Sequence, residues 1–154
     1  MRRSALQAQQ DYGVRQLAEQ ICGGLPSKAY ADEYLAIYRF VLSRCRYMRD
    51  PRTVELVRSP QNVARALWSG QTPSLDCDDM ACLLAALVLA VGGQPRFVTV
   101  AFATHMVQGQ LQYSHVFCQA FEPQTRTWIT LDPVAAGRTK QMMGRVKHWK
   151  FWPI

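Results

Sequence analysis

The residues with the most chemical potential are Asp76-Cys77-Asp78-Asp79, Ser114-His115-Val116 and Leu131-Asp132-Pro133. A cysteine where a helix begins, a histidine on a strand and an aspartate on the next strand can act as nucleophile, base and orienting group. The apolar run over residues 80–91 predicts a buried helix with Cys77 in its first turn. A helix N-terminus places unpaired N–H groups and partial positive charge at the sulfur. Both favour a thiolate and can hold an oxyanion. The neighbouring aspartates work the other way by charge, and their structural use is to cap the helix and complement its dipole. A histidinium partner is needed to recover the thiolate.

His115 is the candidate for that partner. Tyr113, His115, Phe117, Gln119 and Phe121 share one face of their strand. If Phe121 faces Thr127 across a hairpin, paired positions sum to about 248 and His115 falls opposite about position 133, one residue from Asp132. A slip of one residue would turn Asp132 to the other face. The plainer readings are a satisfied strand histidine and a small core cysteine. Cys22, Cys45, Cys82 and Cys118 fit the second, inside apolar or amphipathic patterns; Cys77 does not. His105, in a loop, and His148, in a basic tail, have no evident carboxylate partner. A zinc site from Cys77, Cys82, His115 and Cys118 fits poorly. The first two are five apart on a helix, the last two point to opposite strand faces, and no Cys-x-x-Cys pair exists. The aspartates lack a calcium-loop pattern, and no phosphate-loop motif is present. The N–H of Cys77 is one natural oxyanion donor; a side-chain donor would come from Gln71, Trp68, Tyr47 or Gln61.

These points must be positioned by an α+β domain. Residues 4–21 read as an amphipathic helix, closed by Gly23-Gly24-Leu25-Pro26. Ser27 looks like the N-cap of a second helix over about 28–47, with Tyr30, Tyr34, Ile37, Val41 and Leu42 as its apolar stripe. Residues 47–51 form a turn, because a residue before proline disfavours helix. Ser59-Pro60 is a good helix start, and residues 62–68 read as a short helix that carries Val63, Leu67 and Trp68 inward. Residues 70–74 are a loop, and Gly92-Gly93 ends the cysteine helix. Residues 96–102, 111–121 and 127–131 read as strands, with 104–109 a polar connection and 122–126 a hairpin loop. N-terminal helices and a buried Cys-bearing helix would then pack on an antiparallel sheet.

The chain has 154 residues, 49% of them apolar, which fits one domain over residues 1–154 with a real core. The longest apolar run is too short to span a bilayer, and residues 4–10 are no apolar segment of a signal peptide. Five cysteines without paired spacing fit reduced thiols in a cytoplasm. Of the net charge of +7, five units lie in residues 133–154, which hold Arg138, Lys140, Arg145, Lys147 and Lys150 and no acidic residue. That basic aromatic tail, about 138–154, could meet nucleic acid, with Trp149, Phe151 and Trp152 interleaved among lysines. Docking of the tail on the domain or on a partner is the preferred reading, because three large aromatics are costly to leave in water.

Asp-Cys-Asp-Asp opening an apolar helix, Gly-Gly after it, a Ser-His-Val strand and a Trp-x-x-Leu-Asp-Pro strand resemble the transglutaminase-like superfamily, within the papain-like cysteine enzymes. Tyr47, Asp50-Pro51, Glu55 and Val57-Arg58-Ser59-Pro60 add a resemblance to the transglutaminase-like proteins encoded among phage and prophage structural genes. The likeness covers about residues 40–135. Leu75 stands where members often have glycine, and Phe117 matches an aromatic that often follows the histidine. Gln71 precedes the cysteine by six residues, the spacing of papain-like peptidases, although Thr72-Pro73-Ser74 does not otherwise match them. The resemblance implies Cys77 as nucleophile, His115 as general base and acid, and Asp132 as orienting group. It implies acyl transfer on amide or peptide bonds through a thioester at Cys77, without a cofactor. Water as acceptor gives a peptidase or amidase and an amine gives a cross-linking transferase; for a small microbial member hydrolysis is favoured. The partners implied are a protein or peptide substrate and phage structural proteins, with no membrane, in the cytoplasm or in a phage particle. The rival is a catalytically idle binding or virion-assembly module on the same fold.

Overall fold

The computed structural model describes residues 1–49, 57–104, 106–137 and 139–154. The predicted Asp50-Pro51 turn, Glu55, the loop position of His105 and Arg138 at the start of the tail lie outside the described residues. The N-terminal stretch is two helices, not one: α1 (Arg2–Ala8) and α2 (Tyr12–Cys22). The break falls at Asp11, whose carboxylate accepts from the N–H groups of Gly13 and Val14 and so caps α2. The next helix, α3 (Tyr30–Arg44), is shorter at both ends than its pattern implied. Its N-cap is Ala29, not Ser27, because Lys28 adopts a left-handed φ of 63° between them. Tyr34, Ile37 and Val41 are buried as expected, but Leu42 is exposed.

A two-residue strand, β1 (Arg46–Tyr47), follows. Ser59 then caps α4 (Pro60–Trp68) with proline at its first position, two residues earlier than the apolar pattern alone implied. Val63 and Leu67 point inward, but Trp68 is 56% exposed, because α4 ends there and its ring lies off the buried stripe. Within the predicted 70–74 loop, Ser74 joins β2 (Ser74–Leu75), which pairs in parallel with β1.

Asp76 caps the central helix α5 (Cys77–Ala90), accepting the N–H of Asp79 at 3.1 Å. Ten of its fourteen residues are buried, and each buried leucine contributes about 2 kcal/mol. Gly92, at φ 80°, ends the helix as a Schellman turn, with Gly93 N–H bonded to the Val88 carbonyl. Gly93 has no room for a side chain, because a Cβ there would lie 2.6 Å from the Tyr34 hydroxyl.

The second half is sheet. β3 (Gln94–Ala101), β6 (His115–Glu122), β7 (Thr127–Leu131) and β8 (His148–Pro153) form one antiparallel sheet in the order β7-β6-β3-β8. Its inner face packs on α5 through Phe97, Val116, Cys118, Ala120 and Leu131. Two expectations fail between β3 and β6. Residues 104–109 are not merely a connection, and the second long strand does not begin at 111. A separate small hairpin, β4 (Met106–Val107) with β5 (Gln110–Leu111), takes those residues. Gly109, at φ 76°, sits in its turn, so β6 begins at His115 itself. The aromatic tail does dock on the domain. After a short helix α6 (Thr139–Met143), β8 joins the edge of β3. Among the described residues, no helix is long and apolar enough to cross a membrane.

Candidate active site

Cys77 occupies the first helical position of α5, where backbone N–H groups have no partner within the helix. His115 opens β6, and Asp132 follows the last residue of β7. The β6–β7 register pairs Cys118 with Leu131 and Glu122 with Thr127, so paired numbers sum to 249, one beyond the expected 248. That slip places position 132 across from Phe117, on the face that carries His115.

The contact itself is direct. His115 Nε2 lies 2.8 Å from Asp132 Oδ2, with both side chains almost fully buried. Asp132 uses its other oxygen to accept the Ala135 N–H at 3.2 Å, and its main-chain carbonyl accepts from the Tyr38 hydroxyl at 3.4 Å. With Nε2 committed to Asp132, Nδ1 is left for Cys77. Burial opposes the imidazolium, but hydrogen bonds to Asp132 and Cys77, and the charge on both, outweigh it and push the His115 pKa up to about 9. The Phe117 ring lies 5.9 Å from the imidazole and walls it from water.

The other four thiols are held protonated. Burial pushes Cys22 up to about 11, Cys45 to about 12, Cys82 to about 11 and Cys118 higher still. Among the described residues, no three His, Cys, Asp or Glu side chains stand close enough together to hold a metal ion.

The aspartates beside Cys77 have separate tasks. Asp76 caps. Asp79, buried, accepts the Arg58 N–H at 2.5 Å and faces Arg58 Nε at 3.8 Å, tying the segment before α4 to the start of α5. Asp78 is half-buried; burial first, then its hydrogen bond to Asp76 and that group's charge, raise its pKa to about 7. An acid with a raised folded-state pKa costs stability while ionised, above about pH 7, and the cost is relieved as pH falls toward 4. Asp78→Asn is therefore expected to raise the melting temperature at about pH 8 and to leave it unchanged near pH 4. Differential scanning fluorimetry at the two pH values checks this; equal shifts at both would refute it.

The oxyanion candidates are scattered. Tyr47 pairs with Leu75, two residues before Cys77, so β1 runs beside the cysteine loop, with the tyrosine 45% exposed. Trp68 faces a groove with Leu17, Gln20, Phe40 and Arg44, none of which belongs to this site. Gln71 is exposed, and its N–H is bonded to the Ala66 carbonyl. Gln61 accepts from the Ser59 hydroxyl. Among the described residues, no hydrogen bond joins the side chain of any of them to Cys77. Sequence reasoning missed Tyr38, Ala135 and the Arg58–Asp79 clamp. Tyr38 had a signal, since it lies four residues after Tyr34 on the buried side of α3; a backbone N–H and an ion pair between distant segments have none.

A sequence profile of the transglutaminase-like superfamily matches residues 15–133, more than three quarters of the chain. No curated protein sequence matches it. Two solved structures share the fold. One is a candidate protease from Parabacteroides distasonis, with TM-score 0.60 and 14% identity over 82% of this chain and 24% of that one. The other is a candidate cysteine protease from Cytophaga hutchinsonii, with TM-score 0.54 and 16% identity over 92% of this chain and 50% of that one. This chain thus spans a quarter to a half of the length of those structures.

Proposed function

Because the chain belongs to the transglutaminase-like superfamily, we propose that it is a cysteine-dependent acyl-transfer enzyme acting on amide or peptide bonds, with Cys77 as nucleophile. The observation that carries this reading is the buried His115–Asp132 pair at 2.8 Å, with Cys77 near enough to the same imidazole to help raise its pKa. In the proposed cycle Cys77 Sγ attacks the substrate carbonyl and its proton resides on His115 Nδ1. The α5 N-terminus steadies the oxyanion, through the Cys77 N–H and a side-chain donor; the pairing of Tyr47 with Leu75, two residues before Cys77, makes Tyr47 our candidate for it. His115 then protonates the leaving amine, and a thioester remains at Cys77. Water, activated by the neutral imidazole, releases the acid and the thiol. Asp132 holds the ring and stabilises its charged form. Hydrolysis of a protein or peptide is the reading we favour over transfer to an amine. The partner class that the sequence resemblance implies is a phage structural protein.

The deciding experiment is the pH dependence of alkylation at each cysteine, read by mass spectrometry. Cys77 is expected to react fast at pH 6, while the other four thiols, all with raised pKa values, stay unlabelled. His115→Ala is expected to slow Cys77 about 10²-fold or more at that pH. Uniform labelling, or a Cys77 rate indifferent to His115, would favour the idle binding module instead.

A further inference from the structure

We propose that the outer face of the four-stranded sheet is a binding platform for single-stranded nucleic acid. The first ground is charge. Residues 94–154 carry seven basic side chains and two acidic ones, Glu122 and Asp132. Both carboxylates are buried, 3% and 2% exposed. Glu122 is consumed by Gln124 and Thr125, and Asp132 by His115 and Ala135. This half of the molecule therefore shows solvent no side-chain carboxylate, while Arg126, Arg145, Lys147 and Lys150 are all exposed. Such a surface attracts polyanions.

The second ground is the aromatic row. Cross-strand partners point to one face, and the registers place Trp128 on β7, Gln119 on β6, Arg96 on β3 and Phe151 on β8 together on the face away from α5. The Arg96 guanidinium lies 3.8 Å from the centre of the Trp128 ring and 4.2 Å from that of Phe151. Its Nε and Nη2 donate to Gln119 Oε1 at 2.9 and 2.7 Å. Arg96 is thus spent on bracing the rings and offers no open fork to a carboxylate. What the row presents is ring surface: Trp128 is 37% exposed, Phe151 48% and the adjacent Trp149 41%. A groove of about 450 Å³ opens at the end of the row, where Arg96, Trp128 and Phe151 meet Leu89, Pro95 and Ile154 at the edge of the sheet. Exposed rings braced on a sheet, in a half of the molecule whose exposed side-chain charges are all positive, are what stacked bases and phosphates require. An acidic protein would use the charge but not the rings.

This inference is independent of Cys77 and its chemistry. The test is fluorescence anisotropy of a labelled oligothymidylate of about 15 nucleotides with the full chain under reducing conditions. Binding is expected to fall with salt, with a log–log slope of about −0.7 per neutralised phosphate. Trp128→Ala and Phe151→Ala are each expected to weaken it roughly 5- to 100-fold without changing that slope, and Trp128→Phe to restore most of it. Melting curves show whether each variant is folded, and Phe151→Ala carries the test if Trp128→Ala is not. Lys147→Gln is expected to flatten the slope, and Lys150→Gln, whose side chain stacks on Trp152 on the opposite face, to leave it unchanged. No salt-sensitive binding, or binding that neither ring substitution weakens, overturns the proposal. Polyaspartate competing as well as the oligonucleotide at equal charge also overturns it and assigns the face to an acidic protein.

Discussion

Cys77→Ala is expected to lower acyl transfer by about 10⁵-fold or more, because residues of a nucleophile–base unit fail together when the nucleophile is removed. A generic acyl donor suffices to measure this before a natural substrate is known. With p-nitrophenyl acetate, the parent is expected to give a burst of one p-nitrophenolate per chain and an acetyl adduct that maps to Cys77. The variant is expected to give neither. Cys82→Ala is the control: Cys82 lies on the same helix, but burial pushes its thiol up to about 11, so its loss should leave the burst intact. The substitution at Cys77 should also leave the fold intact, since the side chain is only partly buried at the first turn of α5 and the helix is held by ten buried residues further along. A surviving burst in Cys77→Ala, or an adduct on another cysteine, would remove the proposed nucleophile.

How much of this was legible beforehand follows the range of the interactions. The α5 start was readable because Asp76 caps locally and the apolar run is unbroken from Met80. The same local chemistry gave Ser59-Pro60 and the Gly92 stop. It failed at Asp11, where a cap lies inside an amphipathic pattern, and at Ser27, where a left-handed Lys28 intervenes. Strand pairing was readable only to within one residue. That residue decided which face Asp132 occupies, and the geometry supplied it through the 249 register and the exit of the chain from β7. The parallel pairing of β1 with β2, the Arg58–Asp79 clamp and the docking of β8 join segments 21 to 57 residues apart. No periodicity encodes such contacts. The tail does dock, but by strand pairing, and Trp149, Phe151 and Trp152 stay 41%, 48% and 43% exposed, so the cost of exposing them was not what seated it.

Asp132→Asn should separate charge from shape at the site. Both carboxylate oxygens of Asp132 are committed, one to His115 Nε2 at 2.8 Å and the other to the Ala135 N–H at 3.2 Å. An asparagine has one acceptor for these two donors. If its oxygen keeps Ala135, its amide points N–H groups at His115 and drives the ring toward the tautomer with its proton on Nδ1, where it cannot receive one from Cys77. If its oxygen keeps His115, buried donors oppose each other at Ala135, a loss of about 1–3 kcal/mol. Either way the imidazolium loses its counter-charge in a buried site. We expect alkylation of Cys77 at pH 6 and ester turnover to fall about 10²- to 10⁴-fold. Stability reports the same pair independently. A histidine whose pKa rises from 6.5 to about 9 on folding adds stability that is full below about pH 6.5 and is lost as pH climbs through 9. The parent should therefore show a decline in melting temperature across that window, and Asp132→Asn should lose that component of it. An asparagine variant that keeps the parent's rate within about threefold and the same pH–stability curve would mean that Asp132 is a packing residue, and that His115 is charged, if at all, by Cys77 alone.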